Sequence, residues 1–175
     1  RALRFYLHMR EQQRPIDRDK FDAIMHFAAF SLVGESMKNP GKYFKNNLGN
    51  AINLADAAIA GGVKRFVFSS TAATFGEPDE IPISETTTQN PINPYGESKL
   101  CFEKALRWYS DVHGLKYAAL RYFNAAGASE QFGEDHDPET HLIPILLQVA
   151  AGNLDAYHLA GNSNHQRHRP GTLCA

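Results

Sequence analysis

The chain has 175 residues, of which 43% are hydrophobic and 11% aromatic, the composition of one folded domain rather than of a disordered chain. A formal net charge of −1 gives no electrostatic basis for binding nucleic acid or an anionic membrane, so we expect neither as a partner. The two cysteines, Cys101 and Cys174, are far apart, and we find no signal peptide or membrane-spanning run, so a cytoplasmic location is expected.

Short apolar runs that end in small or polar residues predict the strands of a buried sheet. The first run lies within "FDAIMHFAA", the second is "VKRFVFSS" and the third is "LKYAALRYF". We therefore predict strands around residues 23–27, 65–69 and 117–122.

Helical periodicity fills the segments after these runs. Asn39 and Pro40 are predicted to begin a helix that ends at Gly61, and Pro94 to begin a second one that ends at Gly114. The apolar face of the first helix is predicted to consist of Phe44, Leu48, Ile52, Ala55 and Ile59. The segment "HLIPILLQVAAG" predicts a third helix.

The alternation of strands and helices through short connections predicts parallel strand pairing. We therefore predict an α/β fold with a doubly wound, Rossmann-like parallel sheet that is incomplete in this chain. Residues 1–20 depart from the pattern and offer at most a short strand around residues 3–7. Residues 153–175 are polar and aperiodic, and we predict a disordered tail there. Ligands of such sheets bind beyond the carboxyl ends of the strands.

The segment "NPYGESK" places Tyr95 and Lys99 four residues apart near the start of the second helix, so both lie on one helical face. An ammonium beside a phenol favours the phenolate, which predicts a lowered pKa for Tyr95. A phenol tuned in this way can exchange a proton with a substrate hydroxyl. The same spacing also occurs on ordinary solvated helices, and the spacing alone does not separate the two interpretations.

Three consecutive hydroxyl residues, Ser69, Ser70 and Thr71, stand at the carboxyl end of the second predicted strand. Such hydroxyls commonly bind loop backbone groups. One of them could instead hydrogen-bond the same substrate oxygen that Tyr95 titrates, because the strand directly precedes the helix that carries Tyr95. Matched groups at one edge of the sheet favour a functional role.

Seven segments together resemble the UDP-glucose 4-epimerases of the extended short-chain dehydrogenase/reductase family. They are "HFAA", "GES", "NNLGN", "RFVFSSTAATFGEP", "NPYGESK", "LRYFNAAGA" and "GEDHDPETHLIP". The resemblance runs from about Phe21 to Gly152. It implies that residues 1–152 form a partial NAD-binding Rossmann domain and that the parent protein is a homodimer acting on a UDP-hexose, plain or N-acetylated, in galactose metabolism.

The resemblance also implies site residues. Tyr95 would be the acid/base, Lys99 its electrostatic partner and a ligand of the nicotinamide ribose, and Thr71 the hydroxyl at the sugar 4-position. The implied cofactor contacts are Phe27, Ala28, Ala29, Ser31, Asn46, Ser69, Ser70, Tyr95, Lys99, Tyr122 and Phe123. The implied substrate contacts are Thr71, Tyr95, Asn124, His141 and Leu142. The implied reaction oxidises the sugar at C4 with NAD and returns the hydride to the opposite face.

Two alternative functions stay open. The chain could belong to another nucleotide-sugar enzyme of the family, although a dehydratase would carry an Asp-Glu pair where Ala72 and Ala73 follow Thr71. It could also be a truncated, non-catalytic product. His136 and His141 lie among carboxylates and suggest a metal, but the segment offers no cysteine ligand, and we predict a polar substrate loop without metal.

A Gly-rich turn after a first strand, which would bind the pyrophosphate of a dinucleotide, does not occur in the sequence. The region after Gly152 also lacks the resemblance. We therefore expect this chain to be a segment of a longer enzyme, with weak epimerase activity at most.

Overall fold

The computed structural model describes residues 21–133, 139 and 141–154. Its sheet has three parallel strands in the order β1 (Ala23–His26), β2 (Arg65–Thr71) and β3 (Lys116–Tyr122). The register pairs Ala23 with Arg65 and Arg65 with Lys116, and the carboxyl ends of all three strands point to the same edge. β1 ends opposite Phe68, whereas β2 and β3 continue to Thr71 and Tyr122. The predicted Rossmann-like parallel sheet is thereby confirmed, with strand bounds within two residues of those predicted.

Five α-helices accompany the strands in the described part of the chain. They are α1 (Val33–Lys38), α2 (Pro40–Tyr43), α3 (Asn50–Ala60), α4 (Pro94–His113) and α5 (Leu142–Ala150). A π-helical segment, Phe44–Gly49, joins α2 to α3, and a 3₁₀ turn, Ala72–Thr74, follows β2. Gly114 ends α4 with φ of 69°, a left-handed conformation that glycine adopts without steric cost.

The core lies between one face of the sheet and helices α3 and α4. Alternate residues of β2, Phe66 and Phe68, point to this face because successive strand residues face opposite sides of a sheet. They pack against Phe102 and Leu106 of α4 and against the alanines and Leu54 of α3. Both helices therefore cover the same face of the sheet.

The predicted apolar face of the first helix is right at Ala55 and displaced by one position at its other four residues. The fully buried residues are Tyr43, Asn47, Ala51, Leu54, Ala55 and Ala58, whereas Phe44, Leu48, Ile52 and Ile59 are only half-buried. The offset is already present at Tyr43, before the π-helical segment begins, so the buried stripe is displaced by one residue from its start. The alanines also allow α3 to approach the core closely while its larger side chains lie at the flanks.

The chain divides after Tyr122 into two compact units. The described part of the second unit contains a turn in which Ser129 N donates to Phe132 O at 2.8 Å, and the helix α5. The predicted strand at residues 3–7 and almost all of the predicted tail at 153–175 lie outside the described residues. Within those residues, no helix combines the length and apolarity needed to cross a bilayer.

Truncation of Phe102 should remove the centre of the core. Its ring is fully buried and lies 4.8 Å from the ring of Phe68 and 5.9 Å from that of Phe66. We expect Phe102→Ala to lower the free energy of unfolding by about 3–5 kcal/mol in urea denaturation. The matched control is Trp108→Ala on the same helix, where the side chain is 62% exposed and the change should stay within about 0.5 kcal/mol. Equal losses in the two variants would contradict this description of the core.

Candidate active site

The start of α4 is fixed by a side-chain cap. Asn93 Oδ1 accepts a hydrogen bond from Gly96 N at 2.8 Å, and Pro94 occupies the first helical turn, where its missing N–H costs nothing. Ser98 Oγ donates to the carbonyl of Tyr95 at 2.7 Å in the same turn. Tyr95 is therefore held in a rigid helix start rather than in a loop.

Gly96 allows this helix start to lie directly on the turn after β2. A Cβ atom at Gly96 would stand 2.5 Å from the carbonyl oxygen of Ala73, far inside van der Waals contact. Thr71 Oγ1 in turn accepts a hydrogen bond from Ala73 N at 3.2 Å. Because Gly96 has no side chain, the start of α4 can approach the turn after β2 closely enough to bring Tyr95 near Thr71.

The Thr71 hydroxyl lies near the Tyr95 phenol and acts on its pKa. Burial raises the pKa of Tyr95 above its usual value of 10.0, and the Thr71 hydroxyl partly offsets this effect. Thr71 is 9% exposed and Tyr95 is half-buried. The structure thus brings together the two groups that the resemblance assigns to the sugar 4-hydroxyl.

Lys99 lies near this pair and is only 3% exposed. Its Nζ donates to the carbonyl oxygen of Ser69 at 2.8 Å and stands 4.8 Å from the centroid of the Phe68 ring. Burial lowers the pKa of Lys99 from 10.5 to about 8, because a desolvated ammonium is costly. The ammonium is 6.0 Å from the centroid of the Tyr95 ring.

The expected lowering of the Tyr95 pKa by Lys99 is not found in this structure. The pKa of Tyr95 is raised, burial is the largest cause, and the group that lowers it is Thr71. The physical reason is that Lys99 is directed to a strand carbonyl, so its distance from the phenol weakens the attraction that would stabilise a phenolate. The catalytic roles of Tyr95 and Lys99 stay predictions.

His26, the last residue of β1, lies next to the site. Its ring stacks on Phe68 with centroids 5.8 Å apart and is 3% exposed. Burial, and then the nearby Lys99 charge, lower the pKa of His26 to about 4, so the imidazole is neutral at pH 7. Because His26 is neutral, it does not place a second positive charge beside the buried Lys99.

The loop after β1 is fastened by two buried polar residues. Asn47 Oδ1 accepts from Phe30 N at 2.9 Å while Asn47 Nδ2 donates to Phe30 O at 3.0 Å, so one amide satisfies both backbone groups of Phe30. Tyr43 Oη donates to the carbonyl of Leu32 at 2.7 Å. The loop that carries the predicted cofactor contacts is therefore rigidly attached to the helical layer.

Asn47 is a functional candidate that the sequence reasoning missed in favour of Asn46. Asn47 is 2% exposed, and its Nδ2 also lies 3.4 Å from Ser98 Oγ on α4, so it connects the loop to the helix of Tyr95. Asn46 is half-buried and donates to Asn47 Oδ1 at 3.0 Å. The available signal was the spacing of Asn47, which follows Tyr43 by four residues and precedes Ala51 by four on the buried stripe.

The remaining predicted residues of the first unit are distributed around this edge. The side chains of Phe27, Ala28 and Ser31 are exposed and Ala29 is half-buried. The Phe27 ring lies 6.5 Å from that of Tyr122, the last residue of β3. Ser70 differs from its neighbours, because its hydroxyl donates to Glu103 in the interior. A cofactor contact by Ser70 stays a prediction, and its side chain is engaged elsewhere.

Four of the predicted site residues belong to the second unit. Phe123, Asn124, His141 and Leu142 are all exposed. His141 immediately precedes α5, and its Nδ1 is 2.9 Å from Glu139 Oε1. His136 lies outside the described residues. Among the residues that the structure does describe, no group of three or more His, Cys, Asp or Glu side chains could hold a metal ion.

Replacement of Gly96 should separate α4 from the turn after β2. We expect Gly96→Ala to lower the free energy of unfolding by about 1–3 kcal/mol, because the Ala73 carbonyl is backbone and must move for the methyl group to fit. Gly41→Ala in α2 is the matched control, since nothing lies within 4 Å of the added Cβ there and alanine favours a helix. Urea denaturation measures both variants, and a neutral Gly96→Ala would refute the close approach.

Lys99 should make stability rise with pH above pH 8. Its folded-state pKa of about 8 is below the ordinary 10.5, so between these values the unfolded chain binds more protons and the free energy of unfolding increases with pH. In the range 8–9.5, wild-type stability should increase relative to Lys99→Met by on the order of 1–3 kcal/mol. Denaturation of both chains across this range checks the slope, and comparing the two cancels the other titrating groups. Parallel curves would show that Lys99 is not buried as a cation.

Comparisons with known proteins agree with this architecture. A sequence profile of the NAD dependent epimerase/dehydratase family matches residues 6–168. The chain is 56% identical over 147 residues to the UDP-glucose 4-epimerase of Lacticaseibacillus casei, an alignment that covers 83% of this chain and 44% of the relative. It is 61% identical over 133 residues to the UDP-glucose 4-epimerase of Streptococcus mutans, with coverages of 75% and 40%.

The fold is also similar to a solved structure. The crystal structure of UDP-glucose 4-epimerase from Brucella ovis in complex with NAD superposes with a TM-score of 0.74 at 49% identity, over 79% of this chain and 44% of that one. The chain thus spans less than half the length of the curated relatives that it matches. The resemblance seen in the sequence motifs is confirmed, and the chain belongs to the NAD dependent epimerase/dehydratase family.

Proposed function

We propose that the protein to which this chain belongs interconverts UDP-glucose and UDP-galactose by transient oxidation of the hexose at C4, with NAD as cofactor. The observation that carries the proposal is the proximity of Thr71 to Tyr95 at the start of α4, with the Lys99 ammonium held 6.0 Å from the Tyr95 ring centroid. High identity to UDP-glucose 4-epimerases supports the reaction class.

The residues at the carboxyl edge of the sheet fit an NAD molecule. The exposed, small residues Ala28 and Ser31 leave backbone accessible on a loop that Asn47 holds rigid. Lys99 offers an ammonium and Tyr95 a hydroxyl, which are suitable donors for ribose oxygens. The Brucella ovis relative holds NAD in its crystal structure. When bound, NAD supplies the acceptor and donor of hydride for the sugar carbon.

Tyr95 and Thr71 would manage the proton of the sugar 4-hydroxyl. Burial keeps Tyr95 protonated at neutral pH, so it can donate a proton to a carbonyl oxygen at C4. In the opposite direction it must accept that proton, and the Thr71 hydroxyl favours the phenolate that does so. The Thr71 hydroxyl also orients the same oxygen, because it lies near the Tyr95 phenol.

Two observations favour this reaction over its alternatives. The 3₁₀ turn that follows Thr71 contains Ala72 and Ala73, which supply no acid for a dehydration. The high identity to UDP-glucose 4-epimerases also favours this reaction. A UDP-hexose is the proposed substrate and a homodimer the proposed assembly, and light scattering of the purified protein measures the latter.

Removal of the Tyr95 hydroxyl should abolish most of the activity. With NAD and UDP-galactose added to the longer protein to which this chain belongs, we expect Tyr95→Phe to lower the rate of UDP-glucose formation about 10²–10⁴-fold, because the proton then has no positioned donor or acceptor. Thr71→Ala should also lower the rate, whereas Thr71→Ser keeps a hydroxyl and should retain most of it.

Tyr117→Phe is the matched control for this experiment. Tyr117 lies on β3 and is 37% exposed, so loss of its hydroxyl should leave turnover unchanged. UDP-N-acetylgalactosamine in place of UDP-galactose shows whether an N-acetylated hexose is accepted. A Tyr95→Phe chain that turns over as fast as the wild type would exclude Tyr95 as the acid/base.

A further inference from the structure

Helix α4 is attached to the sheet through one stripe of side chains spaced four residues apart. Each member of the stripe contacts one of three consecutive residues at the end of β2. The three contacts are Tyr95 with Thr71, Lys99 with the carbonyl of Ser69, and Glu103 with the hydroxyl of Ser70. The first two contacts belong to the candidate active site, and the third has no role in the proposed chemistry.

Glu103 is a buried carboxylate at the centre of a polar network. Its side chain is 8% exposed and accepts hydrogen bonds from Arg121 Nη2 at 2.8 Å and from Arg121 Nε at 3.2 Å. Gln89 Nε2 donates to the same carboxylate at 3.3 Å, as does Ser70 Oγ. The Arg121 guanidinium also lies 5.1 Å from the centroid of the Phe75 ring. Such a bidentate, charge-assisted pair is strong and directional.

The partners of Glu103 and Lys99 are not those expected for their position in the sequence. A lysine and a glutamate four residues apart on a helix are neighbours, and their opposite charges ordinarily pair. In this structure each is instead bonded to a different strand, since Glu103 binds Arg121 of β3 and Lys99 binds the Ser69 carbonyl of β2. An arginine that presents two donors holds the carboxylate more firmly than a single ammonium can.

We propose that Arg121 is a positioning residue for the reaction proposed above: it holds the Glu103 carboxylate at the end of β3 and so prevents Glu103 from pairing with Lys99. The Lys99 ammonium then stays on the end of β2, next to Tyr95. Without Arg121, Glu103 would be a buried carboxylate in need of a cation, and Lys99 is the cation one helical turn away. Pairing with Glu103 would withdraw Lys99 from the site.

The pKa of Lys99 shows whether its ammonium is bonded to the Ser69 carbonyl or paired with the Glu103 carboxylate. The groups that face it are His26 of β1, the Ser69 carbonyl of β2 and Tyr95 of its own helix, and Glu103 follows one turn later on that helix. His26 is neutral at pH 7, so the change of charge that matters is the approach of the Glu103 carboxylate. A carboxylate partner favours the ammonium and raises the pKa of Lys99.

The test is a titration of Lys99 in the purified chain by NMR of ¹³C-labelled lysine, with Lys99→Met used to assign the signal. In the wild type we expect the pKa of about 8. In Arg121→Met it should rise by about two units, which is roughly a hundredfold tighter proton binding. Arg107→Met is the matched control, because Arg107 is an exposed arginine of α4, and it should leave the value at about 8.

The double variant Arg121→Met/Glu103→Gln separates this role from a merely structural one. With the carboxylate removed, the pKa of Lys99 should return to about 8, whereas a rise caused by loosening of the helix would persist. If Arg121→Met does not fold, Arg121→Gln takes its place with the same expected result. The neutral glutamine amide cannot compete with the Lys99 ammonium for the Glu103 carboxylate. An unchanged Lys99 in the folded single variant, or a rise that persists in the double variant, would overturn the proposal. The titration needs neither NAD nor a sugar, so its outcome is distinct from that of the turnover experiment.

Discussion

The Lys99 ammonium is a charge held inside the protein, and the arrangement of the surrounding groups depends on accommodating it. A buried ammonium without partners would be strongly destabilising. Here the Ser69 carbonyl accepts its hydrogen bond, the Phe68 ring lies 4.8 Å away, and His26 beneath it stays neutral. These contacts keep the lysine in place while leaving its pKa near 8, so the group can act as a cation at neutral pH and still sits in a dry site.

The parallel topology supplies these partners together. Because β1, β2 and β3 run in the same direction, their carboxyl ends point to one edge of the sheet, where Thr71 is paired with Tyr122 and His26 is paired with Phe68. His26, Thr71 and Tyr122 are each the final residue of a strand. The helix α4 then adds its own residues from above, and Gly96 allows it to lie close enough for Tyr95 to reach Thr71. Residues distant in sequence become neighbours through this geometry.

Polar side chains make this edge of the sheet rigid, because they bind backbone groups that have no backbone partner there. Asn47 satisfies both backbone groups of Phe30, and Asn93 caps the helix start. Each satisfies backbone groups that would otherwise lie unpaired, and a buried unpaired group is costly. The same amides fix a loop and a helix relative to the sheet, so a single set of hydrogen bonds stabilises the fold and places the site.

The sequence by itself determined the parallel α/β fold, the strand positions to within two residues, and the identity of Thr71, Tyr95 and Lys99 as candidates, because apolar runs, capping residues and motif spacing are local properties of the chain. Only the tertiary structure decided the buried face of the helical layer, the role of Asn47 in holding the loop after β1, and the direction in which the pKa of Tyr95 shifts. The buried face contains small and polar residues such as Asn47, Ala51 and Ala58, and a pattern of large apolar side chains does not anticipate them. A pKa depends on burial and on distances between elements, and the spacing of Tyr95 and Lys99 could not reveal that a strand carbonyl would hold the ammonium 6.0 Å from the ring.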